Sequence, residues 1–317
     1  MRRPAPVPPQ LTTRAFHRSE ARALGITPRQ LQHDRFVEVF PRVYRLASTE
    51  LDAVGLLAAA RASLPPDACI SHQTRFLPLG LDVRATTPLH FTVDRDLHLD
   101  VPGIFLHRTA RFPPHRDGAI DVEGAVLGTA TTLRLIDLVQ IIDWLLHRGL
   151  LDLRRLRTLM HDDPWRPGIA AVEAALELID PRSRSLAESE TRVLLVCAGL
   201  PRPESNLDVH EEGEFLGCGD LVYRWLRLVI EYEGRQHALS TDQFQRDIVR
   251  YARFREAGWS YVQVTRSTLA RPRAMVLNTF RVMQACGYDG PAPSFGRRWL
   301  QLFEQPVRHE PQRLASS

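Results

Sequence analysis

The sequence predicts an α+β protein, and three observations carry that expectation. Its 317 residues correspond to about two domains at roughly 150 residues each, or three if one is small. The last third reads as the element order αβββαβα, which is helices laid over a mixed sheet. The first fifty residues read instead as two short helices followed by a hairpin. A hydrophobic share of 44% is ordinary for a folded water-soluble chain, so neither disorder nor a membrane bundle is indicated.

The N-terminal segment, residues 1–50, carries nine Arg against four acids, a local net of +5 in a chain whose whole net charge is +4. Helical spacing over His17 to Leu24 stops at Gly25. Thr27-Pro28-Arg29-Gln30 then combines an N-cap, a proline at the first helical position and the Gln of a capping box. A helix from Pro28 to about Asp34 would expose Arg29, Gln30, Gln32 and His33. The run Phe36 to Leu46 is β-branched and aromatic around a Pro41-Arg42 turn, which reads as a hairpin. Helix, turn, helix and hairpin together describe a winged helix-turn-helix, whose second helix enters the DNA major groove. Arg29, Gln30, Gln32, His33 and Arg42 are the expected DNA contacts, being of base-reading and phosphate-binding types. A protein-binding winged helix stays open as the alternative.

The middle segment, residues 51–182, is expected to be an α/β region. Helical spacing covers Leu51 to Leu64, His72 to Leu79, Thr131 to Leu146, Leu151 to Met160 and Ile169 to Ile179, with short strands at His90 to Val93 and Gly103 to His107. His90, His98 and His107 lie near these strands, but spacings of eight and nine residues match no ligand motif, and no function is assigned to them.

In the third segment, residues 183–287, an amphipathic helix from Ser183 to Cys197 ends at Gly199 before Pro201. Strand-like runs follow at Asn206 to Glu211, Phe215 to Tyr223 and Leu226 to Glu233. A helix from Thr241 to Ala257, a strand from Tyr261 to Thr265 and a helix from Pro272 to Cys286 complete it. The tail, residues 288–317, is expected to be mobile, with Trp299, Leu300, Leu302 and Phe303 able to dock.

The acids of this segment point to chemistry. Asp220 lies late in the second strand, and Glu231 and Glu233 end the third, so a short hairpin can bring them to one end of the sheet. Glu231 and Glu233 share a face by the period of two. Clustered carboxylates stay ionised only with a cation between them, and Mg²⁺, a hard ion held by carboxylates, waters and phosphate oxygens, is the expected one, with Mn²⁺ as a substitute. Glu188, on the preceding helix, can add a third carboxylate. Arg235 and His237, just beyond the strand, can grip a phosphate and move a proton. Asp247 and Arg250, at i and i+3 on the next helix, are expected to brace the site or form a solvated ion pair.

Residues 186–285 resemble the PD-(D/E)xK nuclease superfamily, in the branch similar to the very-short-patch-repair endonuclease. The resemblance rests on Glu188-Ser189-Glu190, Gly199-Leu200-Pro201 and Gly219-Asp220. It continues through Ile230-Glu231-Tyr232-Glu233-Gly234 with His237, then Arg246-Asp247 with Arg250, and Gly258-Trp259. It implies a restriction-endonuclease-like αβββαβ core in which Asp220 and Glu231 are metal-binding acids and Glu188 is the helix-borne one. Glu233 stands where the motif has lysine, and in this branch a nearby histidine serves instead, which nominates His237. The N-terminal segment resembles the winged helix of abortive-infection-type antitoxins, with Ser71-His72 to Gly80-Leu81 and Thr132 to Asp137 similar to the region that follows it. Thr131-Thr132 and Arg42 depart from the pattern of those proteins.

Two functions follow as expectations. The first is a Mg²⁺-dependent DNA endonuclease with its own DNA-binding domain. The second is a non-catalytic transcriptional regulator or antitoxin on a degenerate nuclease fold. All 41 basic side chains are Arg and none is Lys, which excludes a P-loop, a kinase-type ATP site and Schiff-base chemistry, so no nucleotide cofactor is expected. No HxxxH or CxxC favours a zinc hydrolase, and the scattered Cys69, Cys197, Cys218 and Cys286 read as small buried hydrophobes. No apolar run reaches the roughly 18 residues of a membrane span and the N-terminus lacks a secretion signal, so a cytoplasmic protein with DNA as partner is expected. A homodimer is left open.

Overall fold

The structure, a computed structural model, describes residues 6–81, 88–233 and 250–306. The chain is mixed α and β and divides into two compact units, residues 1–129 and 130–317. The division falls inside the segment 51–182. Among the described residues no helix is long and apolar enough to cross a membrane.

In the first unit, β1 (Phe16–His17), α1 (Arg18–Ala23) and α2 (Pro28–Leu31) precede the hairpin β2 (Phe36–Phe40) and β3 (Val43–Leu46). The three strands form one sheet in the order β1-β3-β2. Thr27 and Gln30 make the capping box reciprocally: Gln30 N donates to Thr27 Oγ1 at 3.3 Å, and Thr27 N donates to Gln30 Oε1 at 2.7 Å. The helix ends at Leu31 rather than near Asp34, because the His33 ring takes the Arg35 N–H at 3.2 Å and so competes with the helical ladder. Leu11, Phe16, Ala21, Ile26, Leu31 and Phe36 form the core of this lobe.

The rest of the first unit consists of α3 (Ala53–Ser63), β4 (Cys69–Ile70), a 3₁₀ helix His72–Leu79, β5 (Leu89–Val93), β6 (Ile104–Arg108), β7 (His115–Arg116), β8 (Ala119–Ile120) and α4 (Val122–Thr129). The sheet order is β6-β5-β4-β8-β7, with β5 and β6 parallel and β6 at an edge. The segment His72–Leu79 is 3₁₀, not α, and contains Pro78, whose ring cannot complete an α turn.

The second unit begins with α5 (Leu135–His147), α6 (Leu153–Asp162) and α7 (Ile169–Leu176), which lead into α8 (Leu186–Cys197). Ser185 caps α8 by accepting from Glu188 N at 3.1 Å. Asp143 of α5 and Arg192 of α8 form a fully buried pair at 2.6 Å. Asp143 also accepts from Asp180 N at 2.7 Å, and Arg192 donates to the Leu178 carbonyl, so the pair joins two helices and a turn.

The chain then builds β9 (Glu204–Glu211), β10 (Glu214–Tyr223) and β11 (Leu228–Glu233). After them come α9, described over 250–256, and β12 (Ser260–Thr265). The sheet order is β12-β11-β10-β9, antiparallel except for the parallel pair β11 and β12. The order αβββαβ is therefore present. Leu228, Val229 and Ile230 are all buried, as an inner strand covered on both faces requires. Phe254 of α9 and Trp259 join Val209, Leu216, Val222 and Val229 in a core on one side of the sheet. A bulge shifts the β9–β10 register between Phe215 and Gly217, and Gly217 has a φ of 154°. A Cβ at Gly217 would lie 3.2 Å from the Arg250 side chain and from the Phe254 ring, so the glycine lets α9 lie close against the strand.

α10 (Arg266–Leu269), α11 (Pro272–Ala285) and α12 (Arg297–Gln301) finish the unit. The tail is docked where it is described, contrary to the expectation of mobility. Trp299 and Leu302 are buried, and Ser294 N donates to the Ala198 carbonyl at 2.7 Å. Apolar burial holds it, while Leu300 faces solvent. The cysteines are all free; Cys69 and Cys197 are buried, whereas Cys218 and Cys286 are only partly so.

Candidate active site

The β10–β11 register pairs Leu221 with Ile230, which carries Asp220 alongside Glu231 at the next step. Asp220 Oδ2 accepts from Tyr232 N at 2.9 Å, so the backbone of β11 fixes this carboxylate. Glu231 is buried, and its Oε2 accepts from Arg250 Nη2 at 2.7 Å. The other oxygen, Oε1, is buried without a hydrogen-bond partner among the described residues. Such an orphaned acceptor is costly unless the group is protonated or meets a cation.

Burial is the first cause that raises both acids. Glu231 is pushed up to about 8 by burial and then by the Asp220 charge, against the opposing Arg250. Asp220 is pushed up to about 6 by burial and then by the Glu188 charge, against the Tyr232 N–H, Arg250 and Arg184. The three carboxylates thus feel one another across α8, β10 and β11.

Glu188 is also structural. Its Oε2 accepts from Arg184 N at 2.9 Å and from Asn206 Nδ2 at 2.6 Å, tying the start of α8 to β9. Glu233 lies at the strand end, where its Oε1 accepts from Tyr251 Oη at 2.9 Å and Gln263 Nε2 at 2.6 Å. Arg250 further donates to the Cys218 carbonyl at 3.4 Å and contacts the Tyr251 ring face, with the guanidinium carbon 5.4 Å from the centroid. Arg235, His237 and Asp247 lie outside the described residues.

The donor set fits a hard divalent cation. Asp220 and Glu231 offer carboxylate oxygens, one of them orphaned, and their mutual repulsion is the kind an ion between them relieves. Arg250 already supplies one positive charge to Glu231.

Two curated relatives match the chain. Both are from Mycobacterium tuberculosis, uncharacterized protein Rv2248 of strain H37Rv and uncharacterized protein MT2308 of strain CDC 1551. Each is 28% identical over 246 residues, covering 74% of this chain and 87% of the relative. No family model matches the chain, and no solved structure matches it.

In the first unit, Arg29, Gln32 and His33 are exposed on and just after α2, and Arg42 is exposed at the hairpin turn. Arg42 adopts a φ of 66°, and its N–H donates to Glu38 Oε1 at 2.7 Å, which closes the turn. Gln30 differs from its expected role. Its Oε1 is engaged by Thr27, so it serves the cap, and only its amide NH₂ remains to offer a ligand.

The sequence reading missed the assembly of His72, His90 and His107, whose ring nitrogens all lie within 4.8 Å of one another. His98 is not part of it and sits exposed against Asp96 at 3.2 Å. The one available signal was that His90 and His107 fall on strands, at a separation of seventeen positions that matches no motif.

Proposed function

We propose that the chain is a divalent-metal-dependent DNA endonuclease that hydrolyses phosphodiester bonds. The observation that carries this reading is the pair of half-buried Asp220 and buried Glu231 on adjacent strands, with Glu188 close enough to raise Asp220 further. The element order αβββαβ over a mixed four-stranded sheet supports a restriction-endonuclease-like core of the PD-(D/E)xK kind. Asp220 and Glu231 would hold Mg²⁺, with Glu188 directly or through water. Bound there, the ion supplies Lewis acidity to a scissile phosphate and a lowered pKa to a coordinated water. Tyr251 and Gln263 orient Glu233 at the rim, where it can accept a proton from water. Arg250 holds Glu231 in place and balances its charge. The capped α2 and the β2–β3 hairpin support a winged helix-turn-helix whose Arg29, Gln32, His33 and Arg42 contact duplex DNA. A cytoplasmic protein is the matching location.

The non-catalytic reading is favoured by one observation, the Arg250–Glu231 ion pair, which supplies a cation without a metal. Supercoiled plasmid incubated with Mg²⁺ or Mn²⁺ decides between them. Wild type is expected to nick or linearise it, and Asp220→Asn, checked for folding by circular dichroism, to leave it intact. Equal cutting by the variant, or none by wild type with either ion, sinks the nuclease reading.

A further inference from the structure

We propose that His72, His90 and His107 form a three-imidazole site for a transition-metal ion of the Zn²⁺ class in the first unit, separate from the carboxylate site of the second. The three residues come from different elements. His72 opens the 3₁₀ helix, His90 lies on β5, and His107 lies on the edge strand β6. The parallel register pairs His90 with Phe105 and Thr92 with His107, so His90 and His107 stand on one face of the sheet, offset by two residues. His90 Nδ1 is 2.8 Å from His107 Nε2, and the His72 ring stacks on His107 with centroids 3.5 Å apart.

Several features make this a ligand set rather than a packing accident. His72 and His90 are buried and His107 is half-buried, so the three rings meet away from bulk water. His72 is held at a φ of 50°, an uncommon backbone state for a side chain of its size, and Ser71 Oγ contacts its Nδ1 at 2.9 Å. Gln73 Nε2 donates to His90 Nε2 at 2.8 Å and fixes the orientation of that ring, and an ion held by His90 Nδ1 would require the ring to carry no proton on that nitrogen. Thr92 Oγ1, on the same strand face, is buried with no hydrogen-bond partner among the described residues, and it can accept from a metal-bound water.

Imidazole nitrogens at the usual 2.0–2.1 Å from a tetrahedral zinc ion stand about 3.4 Å apart. One ligand nitrogen from each ring lies within 4.8 Å of the others, with His90 Nδ1 and His107 Nε2 at 2.8 Å, so the stacked rings turn toward one another to share an ion. Three imidazole nitrogens and no carboxylate in the set select a borderline ion over Mg²⁺. The fourth position is left to water.

The test uses the untagged full chain, stripped with chelator and titrated with Zn²⁺ by calorimetry and with Co²⁺ by visible absorption. One ion per chain is expected on the histidines, distinguished from any ion on the carboxylates by the absorption bands of a low-symmetry, nitrogen-bound cobalt and by its loss in the histidine variants. His107→Gln, at the sheet edge, and His72→Gln are expected to lose roughly tenfold or more in affinity, a loss of the size seen when a ligand's support is removed. His98→Gln, exposed and outside the cluster, is expected to keep full zinc binding. Should His107→Gln fail to fold, the cobalt spectrum of wild type still decides. Absence of stoichiometric binding in wild type, unchanged affinity in both histidine variants, or equal loss of binding in His98→Gln overturns the site.

Discussion

Burial gives the carboxyls of Asp220 and Glu231 a higher proton affinity in the folded chain than in the unfolded one. Their contribution to metal-free stability is therefore fully present below the unfolded values near 4 and is lost as pH rises through about 6 and about 8. His72 and His107 act in the opposite direction. They favour the neutral form, so their contribution is complete above 6.5 and is lost as pH falls from there toward about 3. Between 6.5 and 8 the histidines are silent, and the thermal midpoint of chelator-treated protein is expected to fall across that window. Millimolar Mg²⁺ is expected to flatten the fall. A midpoint that rises with pH there, without metal, contradicts the burial of Glu231. The carboxylates were legible in the sequence because they end an apolar strand next to a short hairpin, and period two sets their face. The histidines were not, because a 3₁₀ turn and a parallel strand pairing bring them together, and neither leaves a local pattern.

At the scale of elements, the buried Asp143–Arg192 pair makes α5 and α8 depend on each other. Removing one charge leaves the other uncompensated in the interior, so Arg192→Leu is expected to destabilise by about 3–5 kcal/mol in urea unfolding. The double variant Asp143→Leu/Arg192→Met is expected to recover most of that loss, because Arg192 Nε already lacks a partner among the described residues. A double variant no better than the single one refutes this account. Thr27→Ala, which removes the reciprocal cap of α2, is expected to cost about 1 kcal/mol. Elements with caps or strict period two were readable, including α8, β9, β10, β11 and the β2–β3 hairpin. β4, β7 and β8 span two residues each and exist only through their partners. α4 contains Gly124 and Gly128, poor helix formers that tertiary packing overrides. The role of Asp143 was hidden for the same reason: in the sequence it only interrupts an apolar run.

For the molecule as a whole, basic charge is concentrated in the first fifty residues, which hold five of its net positive charges against a total of +4. If duplex DNA binds there as proposed, it would displace counterions, and affinity is expected to fall steeply between low and physiological salt. Arg29→Ala and Arg42→Ala are each expected to reduce the slope of log affinity against log salt by about one, measured by fluorescence anisotropy. Salt-independent binding, or slopes unchanged in both variants, removes the N-terminal lobe from DNA recognition. The two compact units also divide the donor chemistry, imidazole in residues 1–129 and carboxylate in residues 130–317. If both proposed sites fill, a chelator that takes zinc and spares magnesium is expected to empty the first unit and leave the second loaded.

Gly217 touches none of the acids, yet it sets how near α9 comes to β10. A methyl group there must displace the Arg250 chain and the Phe254 ring by a few tenths of an ångström. Because Arg250 is the positive charge opposing the proton on Glu231, one added carbon at a strand bulge would retune the acidity of the pocket. Steric bulk alone can thus shift the pH at which these carboxyls ionise, leaving every ionisable residue as it is.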